Sequence, residues 1–331
     1  MTEENSSLIF HPSSLDVGKR LDAFLAEYID GWTRSRLQRL IVDEDVLVND
    51  KAVKSSYKIH EGDVVEVELI EIPVARFEPE NIPLDIVFED EFLAVINKPA
   101  GMVVHPGAGV QSGTLANAIA FHFKSSPPYE GGVAEGRGGS LPQNTDAANR
   151  VGIVHRLDKD TSGLIVVAKS DVVHEALSEQ FRERQVFKSY IALVHGATER
   201  NTGTIDAAIG RNKHNRLRMK VAPSGRNAIS LWKVRKRYGK FTLLDIEIKT
   251  GRTHQIRVHT AYINYPIVGD EIYNEGRDNT VADITVRNTI NSLGRFFLHA
   301  ERLSFTHPVT KERLDFTQEL PPELNQFLDL L

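Results

Sequence analysis

The stretch that decides the fold is residues 152–163, which read Gly-Ile-Val-His-Arg-Leu-Asp-Lys-Asp-Thr-Ser-Gly. It places Asp158 on a short polar segment between two apolar runs, residues 151–154 and 164–168. A polar turn that ends in glycine and leads into a buried strand holds a reactive group on rigid supports. Asp158 is therefore the first candidate for a functional residue.

Other short blocks occur in a fixed order along the chain. They are Asn-Lys-Pro-Ala-Gly at 97–101, Lys-Ser-Tyr at 188–190, Gly-Arg-Thr-His-Gln-Ile-Arg-Val-His at 251–259, Pro-Ile-Val-Gly-Asp at 266–270 and Leu-His-Ala at 298–300. With residues 152–163, they resemble the motifs of the pseudouridine synthases that include ribosomal large subunit pseudouridine synthases A and D. The resemblance spans about residue 84 to the C-terminus. It implies an isomerase that converts uridine to pseudouridine in RNA without a cofactor.

The resemblance implies 23S ribosomal RNA as the substrate. Transfer RNA remains an alternative, because relatives in this family act on it. A non-catalytic RNA-binding factor for ribosome assembly is a second alternative, and a metal-dependent nuclease is a third.

Composition narrows the class of protein. With 331 residues and 41% apolar side chains, the chain is long enough for one large domain and one small domain. It contains no cysteine, which excludes disulfides, thiolate zinc sites and cysteine nucleophiles. The first five residues are polar and do not resemble a signal peptide, and no apolar run is long enough to span a bilayer. We therefore expect a cytoplasmic protein, a monomer with no membrane partner.

The net charge of −5 looks unfavourable for RNA binding, but the basic residues are concentrated in one segment. Residues 207–260 contain 14 Lys and Arg against two acidic residues, Asp245 and Glu247. Such a block is typical of a surface that contacts phosphate groups. The alternative is a solvated face whose charge is balanced by acidic neighbours in the fold, and composition does not separate the two.

Four segments are predicted along the chain. They are a flexible tail over 1–15, an S4-like RNA-binding unit over 16–70, a linker containing three prolines over 71–83, and the catalytic domain over 84–331. Two segments interrupt the periodicity of the catalytic domain and are predicted as insertions, 124–149 and 275–292.

The small unit resembles the S4 RNA-binding domain, which is a pair of helices followed by short strands. Leu21, Phe24 and Leu25 recur at helical spacing, and Leu37 and Leu40 mark a second helix. The resemblance predicts that five basic residues face RNA phosphates: Arg34, Arg36, Arg39, Lys51 and Lys54. A small structural cap is the alternative for this unit.

Strand and helix patterns mix in the catalytic domain without a strict β-α-β alternation. Leu244, Ile246 and Ile248 share one face, as in a half-buried strand, whereas Ser170 and Thr253 are placed to cap helices. The mixture favours an α+β fold with a large mixed, mainly antiparallel sheet flanked by helices. The predicted architecture adds a small α/β S4-like domain at the N-terminus, and the resemblance implies the same fold.

The implied reaction breaks the N1–C1′ bond of uridine and joins C5 to C1′. A carboxylate is the group that glycosidases use at such a carbon, and Asp158 is the candidate here. Attack on C1′, addition to C6 and removal of a ribose proton to give a glycal all remain open. The resemblance implies that Arg257 pairs with the carboxylate and that Tyr190 stacks on the target base. The predicted catalytic residues are therefore Asp158, Tyr190 and Arg257.

Uridine must leave its stack to be reached, and the resemblance implies that Arg156 occupies the gap. His155, which is grouped with the predicted RNA-binding residues, is expected to order the turn through its ring nitrogens. Other basic residues are predicted to position the RNA backbone: Arg211, Lys213, Arg216, Arg218, Lys220, Arg235, Lys236, Arg237 and Arg252. A metal site built from His155, His254, His259 and Asp158 is disfavoured, because the five-residue spacing of the last two histidines suits neither a helix nor a strand. No metal and no cofactor is predicted.

Overall fold

The computed structural model describes residues 6–29, 32, 34–42, 45–69, 78–106, 110, 112–125, 152–212 and 218–331. The chain divides into two compact units, Met1–Ala75 and Arg76–Leu331. Most of the predicted insertion over 124–149 and the start of the predicted linker lie outside the described residues. In the described part of the chain, no helix is both long enough and apolar enough to cross a bilayer.

The N-terminal unit contains two helices and a four-stranded sheet. Its elements are β1 (Ser6–Phe10), α1 (Leu21–Tyr28), α2 (Arg34–Val42), β2 (Val46–Val48), β3 (Lys51–Ala52) and β4 (Val65–Leu69), with strand order β1-β4-β2-β3. Leu21, Leu25, Leu37 and Leu40 are fully buried between the helices and the sheet. The helix pair followed by strands agrees with the predicted S4-like arrangement.

Two features of this unit differ from the sequence-based expectation. Residues 6–10 were expected in a flexible tail, but they form β1 and pair antiparallel with β4, because alternation of Leu8 and Phe10 gives the strand an apolar face that packs on the core. Arg34 was expected to face RNA, but it also donates to the buried carboxylate of Asp22 together with Arg20. Arg34 therefore ties α2 to α1, and its contact with RNA stays a prediction.

The second unit is built on a large sheet with helices on both faces. Its strands are β5 (Ile86–Glu89), β6 (Leu93–Lys98), β7 (Gly152–Ile153), β8 (Ser162–Ala168), β9 (Phe187–His195), β10 (Thr202–Asp206), β11 (Ile209–Arg211), β12 (Met219–Val221), β13 (Ile229–Tyr238), β14 (Phe241–Ile248), β15 (Leu298–Thr306) and β16 (Arg313–Thr317). Its helices are α3 (Leu115–Ser125), α4 (Asp171–Arg182), α5 (Gln255–Tyr262), α6 (Ile284–Leu293) and α7 (Pro322–Asp329).

Ten of these strands form one sheet with the order β10-β13-β14-β9-β15-β8-β6-β5, with β16 on β15 and β7 on β8. Among the described strands of this sheet, β15 and β8 form the one parallel pair. Strand β8 is buried along its whole length, because α3, α6 and α7 cover one face of the sheet and α4 covers the other. The large, mainly antiparallel sheet flanked by helices confirms the predicted fold class.

Local features of this unit partly match the sequence patterns. Ser170 caps α4, and its hydroxyl accepts from the backbone of Val173. Thr253 does not cap α5, because His254 occupies the N-cap in a left-handed conformation, φ 54°. Most of the predicted insertion over 275–292 is regular, with a 3-10 turn and α6, whose Val286 and Ile290 are buried in the main core. The sequence pattern did not predict this helix, because polar residues separate its few buried apolar ones.

Candidate active site

Asp158 lies on the loop between β7 and β8. A core contact and a backbone hydrogen bond hold this loop in place. Leu157 is buried in the main core, and the backbone carbonyl of Asp158 accepts from the Thr161 N–H at 3.1 Å. The turn is thus closed by the backbone, which leaves the Asp158 carboxylate for another partner. This arrangement argues against the alternative in which the aspartate side chain only caps its own turn.

Lys98, at the end of β6, supports this loop from inside the protein. Its side chain is fully buried, and Nζ donates to the carbonyls of Pro99, Met102 and Lys159 at 2.7, 2.9 and 3.0 Å. Burial, assisted by the charge of Arg295, lowers the pKa of Lys98 to about 7. The sequence pattern predicted no role for Lys98, and the only signal was its position in the 97–101 block that resembles a family motif.

Tyr190 and the Asp158 loop are brought together by three adjacent strands. Ala300 of β15 pairs with Tyr190 of β9 on one side and with Gly163 of β8 on the other. At Gly163, with φ 110°, an added Cβ would lie 2.2 Å from the Ala300 carbonyl oxygen. The glycine that ends the 152–163 stretch therefore permits the close strand pairing that sets Asp158 beside Tyr190.

Arg257 connects Asp158 with a second carboxylate. Nη1 donates to Asp158 Oδ2 at 3.3 Å, while Nε and Nη2 donate to the two oxygens of Asp270 at 2.7 and 2.8 Å. Arg257 is 4% exposed, and its guanidinium carbon lies 4.2 Å from the centre of the Phe296 ring. Burial opposes its charge, but Asp270 and then Asp158 raise the pKa of Arg257 above its ordinary value. The predicted pair of Asp158 and Arg257 is present in the structure.

Asp270 is a positioning residue that sequence reasoning missed. It is 1% exposed and also accepts from the backbone N–H groups of Ile272 and Tyr273. A planar guanidinium that donates two hydrogen bonds to one carboxylate is held in a single orientation. Asp270 therefore fixes the direction in which the third donor of Arg257 points, toward Asp158.

The start of α5 is braced by Gln255. Its side-chain oxygen accepts from the Arg252 N–H and the Thr250 hydroxyl, and its nitrogen donates to Ile229 and Ser230 of β13. Because Gln255 is buried, these bonds satisfy all its polar atoms. The brace fixes α5, and with it Arg257, against the sheet.

Tyr190 lines the same cavity as Asp158 and is 7% exposed. Burial and, next, the nearby charge of Asp158 raise the pKa of Tyr190 far above its ordinary value of 10.0. The phenol is therefore neutral near pH 7, and it offers a ring face and an O–H donor rather than a phenolate base.

His155 orders the loop as expected, through a ring nitrogen. Nε2 accepts from the backbone N–H of Val166 at 3.1 Å, and the ring stacks on Phe181 with centroids 4.6 Å apart. Burial and the charge of Lys188 lower the pKa of His155 to about 3, which keeps the acceptor nitrogen unprotonated. Arg156, the next residue, is exposed.

Asp158 forms part of the wall between two cavities of about 670 and 900 Å³. Both volumes are within the range of small-ligand sites. Six residues line both cavities: His105, Arg156, Leu157, Asp158, His254 and Arg257. In the smaller cavity, Asp158 is the single acidic residue among the lining residues, which include seven Arg and Lys. This charge balance suits a polyanion.

The predicted RNA contacts of the 207–260 block have mixed outcomes. Arg252 lines the smaller cavity and donates to the Asn227 carbonyl. Arg211 is exposed at the end of β11, and Arg218 stacks over Tyr273. Lys213 and Arg216, and the side chains of Arg36 and Arg39 in the N-terminal unit, lie outside the described residues. All of these RNA contacts stay predictions.

The arginines of β13 are bound to the protein itself. Arg235 donates to Asp245 at 2.6 Å and to both oxygens of Glu301. Arg237 donates to the carbonyls of Thr198 and Arg200 and to Asn201. That both position the RNA backbone stays a prediction, although Nε and Nη2 of each guanidinium are already bound to oxygen atoms of the protein.

The histidines do not form a metal site in the described part of the chain. His259 is fully buried and its two ring nitrogens contact Ser230 and the Ala207 carbonyl. His254 contacts the Tyr273 hydroxyl through Nδ1 at 2.8 Å. Among the described residues, no group of three or more His, Asp or Glu is placed to hold a metal ion.

Comparison with known proteins gives consistent matches along the chain. Residues 92–262 match the family model described as RNA pseudouridylate synthase, and residues 19–65 match the S4 domain. A solved structure, human RNA Pseudouridylate Synthase Domain Containing 4, has 24% sequence identity and a TM-score of 0.55. The match covers 74% of this chain and 91% of the human chain, which shows a shared fold.

Three curated bacterial relatives cover nearly the whole chain. The Uncharacterized RNA pseudouridine synthase YlyB of Bacillus subtilis (strain 168) is 40% identical over 95% of this chain and 94% of its own length. Ribosomal large subunit pseudouridine synthase D of Xylella fastidiosa (strain Temecula1) is 40% identical over 95% of this chain and 89% of its own length. The protein of that name in Escherichia coli (strain K12) is 37% identical, over 96% and 92%. The chain therefore belongs to the RNA pseudouridine synthase family, whose members isomerise uridine to pseudouridine in RNA.

Proposed function

We propose that this protein converts specific uridines of 23S ribosomal RNA to pseudouridine and that Asp158 is the carboxylate that reacts. The observation that carries the proposal is the guanidinium of Arg257, which is clamped by Asp270 and donates to Asp158 at 3.3 Å in the wall of a basic cavity. Relatives named ribosomal large subunit pseudouridine synthase D, at 37–40% identity, support large-subunit RNA as the target. The S4 domain supports a structured RNA.

The reaction is an isomerisation, so every atom is retained except for exchanged protons. The N1–C1′ bond breaks with its electron pair on N1, the uracil turns, and C5 bonds to C1′. The hydrogen at C5 leaves as a proton, and N1 ends with a proton. The carboxylate of Asp158 serves by attack on C1′, by addition to C6, or by removal of a ribose proton to give a glycal.

The surrounding residues have separate tasks in this proposal. Arg257 supplies the positive charge beside the carboxylate and fixes its position. Tyr190 presents its ring to the uracil while the base is detached from the sugar. Arg156, exposed at the edge of both cavities, occupies the gap that the flipped uridine leaves in the RNA stack. We further propose that the enzyme acts as a cytoplasmic monomer.

The test is tritium release from unmodified 23S ribosomal RNA labelled at uridine C5, because forming the C5–C1′ bond expels that hydrogen. Wild type should release tritium and Asp158→Asn should not. Asp160→Asn is the matched control, because it removes a carboxylate from the same loop two residues away. We expect the control to retain activity.

The other outcomes separate the alternatives. Release by Asp158→Asn would contradict the assignment of the carboxylate. Release from transfer RNA but not from ribosomal RNA would identify a transfer-RNA enzyme. No release from either RNA by wild type would favour a non-catalytic assembly factor, and RNA cleavage that chelators abolish would favour a metal-dependent nuclease.

A further inference from the structure

Lys188 is a buried cation that the proposed reaction does not use. Its side chain lines the cavity of Asp158 and is 8% exposed. Among the described residues, no carboxylate pairs with it, and Nζ lies 5.1 Å from the centre of the Phe181 ring. Burial, and then the charge of Lys249, lower the pKa of Lys188 to about 8. Buried charges are normally paired, so the free protein leaves a place for an anion.

Lys188 and Tyr190 lie on the same face of β9, because side chains two residues apart along a strand point the same way. Their Cα atoms are about 7 Å apart at 3.3 to 3.4 Å per residue. That separation is close to the distance from a nucleotide base to a neighbouring phosphate. A uracil stacked on Tyr190 would therefore bring its flanking backbone to Lys188.

Arg184 adds a second cation to the same cavity, and its backbone is unusual. It follows α4 at the position after the C-cap residue Glu183, with φ 59°. Arg184 donates its N–H to the Phe181 carbonyl, and Gln185 donates to Gln180. This is a Schellman motif, in which the left-handed residue is usually glycine.

Glycine adopts positive φ with less strain than arginine, so local structure does not explain why this position is an arginine. Arg184 is exposed at the cavity edge. In the described part of the chain, no carboxylate contacts its guanidinium. The side chain is therefore not explained by folding contacts, and it is free to bind a ligand.

We propose that Lys188 and Arg184 form a phosphate-binding site for the RNA backbone next to the target uridine. The inference rests on the proposed function for the identity of the substrate. The two cations hold the phosphodiester of a nucleotide that flanks the uridine, while the base occupies the space beside Tyr190 and Asp158. Phosphate contacts of this kind position a nucleic acid without reading its sequence.

The first test uses Lys188→Met in the full chain and measures its affinity for a 23S RNA transcript at several salt concentrations. We expect affinity to fall about tenfold and the slope of log affinity against log salt to fall by about one. Lys311→Met is the control, because Lys311 is an exposed lysine outside both the cavity and the basic block of residues 207–260. Lys188→Met with wild-type affinity and slope would overturn the site.

The second test separates ligand binding from folding. Arg184→Gly removes the backbone strain of a non-glycine residue in the left-handed conformation, so we expect unchanged or higher thermal stability. Because the substitution also removes the cation, we expect weaker RNA binding. Lys311→Gly is the matched control, because Lys311 is also a basic residue with positive φ, 64°, in another turn. Equal RNA binding by wild type and Arg184→Gly would remove Arg184 from the site.

A chemical test locates the phosphate. Single neutral methylphosphonate linkages are placed on either side of the target uridine in a short RNA. Wild type should bind one of these two RNAs more weakly than the natural RNA. Lys188→Met should bind that RNA and the natural RNA equally well, because the variant has already lost the contact that the neutral linkage removes. Additive effects at every linkage would contradict the proposal.

The proposed reaction and the proposed site can fail separately. Lys188-dependent RNA binding without tritium release would leave the phosphate site standing and reject the reaction. Tritium release with unaltered binding by both variants would leave the reaction standing and reject the site.

Discussion

Two basic regions of the catalytic unit, the inner wall of the smaller cavity and the outer side of β13, differ in what their cations contact. In the cavity, Lys188 and Arg184 have no carboxylate partner among the described residues, and Arg257 directs one donor to Asp158. On β13, Arg235 and Arg237 are bound by oxygen atoms of the protein itself. Both regions are basic in sequence, but the cavity contains cations whose side chains have no oxygen partner among the described residues.

The difference shows that the number of basic residues in a segment is a poor measure of the charge available to RNA. Arg235 lies between Asp245 and Glu301, so its field is neutralised within a few ångströms. Lys188 is 8% exposed and has no carboxylate partner among the described residues, so the protein does not neutralise its charge. Substitutions at Arg257, Lys98, Arg235 and His299 test which side chains the fold itself has already paired.

The largest effect is expected for Arg257→Met, which removes the central cation of the cavity. Asp158 loses its partner and Asp270 becomes a buried carboxylate without its clamp. We expect tritium release to slow by about 10²- to 10³-fold. Arg257→Lys should be defective too, because an ammonium cannot contact both carboxylates in a fixed plane. Near wild-type rates in Arg257→Met would show that the pair is only structural.

Lys98→Met tests a buried cation whose donors, unlike those of Lys188, contact the protein. Three carbonyls would lose their donor, and a buried acceptor left unsatisfied costs roughly 1–3 kcal/mol. We therefore expect a lower free energy of unfolding in urea, with slower catalysis because Lys159 belongs to the Asp158 loop. Lys159→Met, an exposed side chain on that loop, is the control. Equal stability of the two variants would contradict this role.

Arg235→Gln tests the other side of the comparison. Because its ion pairs are partly exposed, we expect a loss of about 1 kcal/mol or less in unfolding free energy. RNA affinity and its salt slope should stay as in wild type, in contrast to Lys188→Met. A salt slope that falls by about one would restore β13 as part of the RNA surface.

The last effect is seen only on acidification and concerns His299, a buried neutral histidine beneath the Asp158 loop. It contacts Ser162 through Nδ1 and the Gln318 carbonyl through Nε2. Burial lowers its pKa from 6.5 to about 4, so the unfolded chain binds its proton more readily. Its contribution to stability is complete above pH 6.5 and is lost as the pH falls toward 4, by at most about 1.4 kcal/mol per pH unit.

Urea unfolding of wild type and His299→Gln at pH 7.5 and pH 5 measures this contribution. The variant should show a smaller loss of stability on acidification. Identical pH dependence in the two proteins would show that the imidazole of His299 is not held neutral by the fold.

Several features were determined by the sequence by itself. The Asp158 loop, the buried strand face of Leu244, Ile246 and Ile248, and the Ser170 cap follow from short-range patterns of apolar, polar and capping residues, which act over a few positions. The predicted pair of Asp158 and Arg257 came from the family resemblance. The prediction of a flexible tail was wrong for residues 6–10, because a five-residue edge strand has a weak pattern and its partner β4 lies more than fifty residues away.

Only the tertiary structure decided which charges are available. Asp158 and Arg257 are 99 positions apart, and the three carbonyls that hold Lys98 include one from another segment 61 positions away. Nothing local in the sequence marks Arg235 as neutralised by Glu301 or Lys188 as unpaired. Such pairings depend on which strands become neighbours in the sheet, and electrostatic energies fall off with distance in space rather than along the chain.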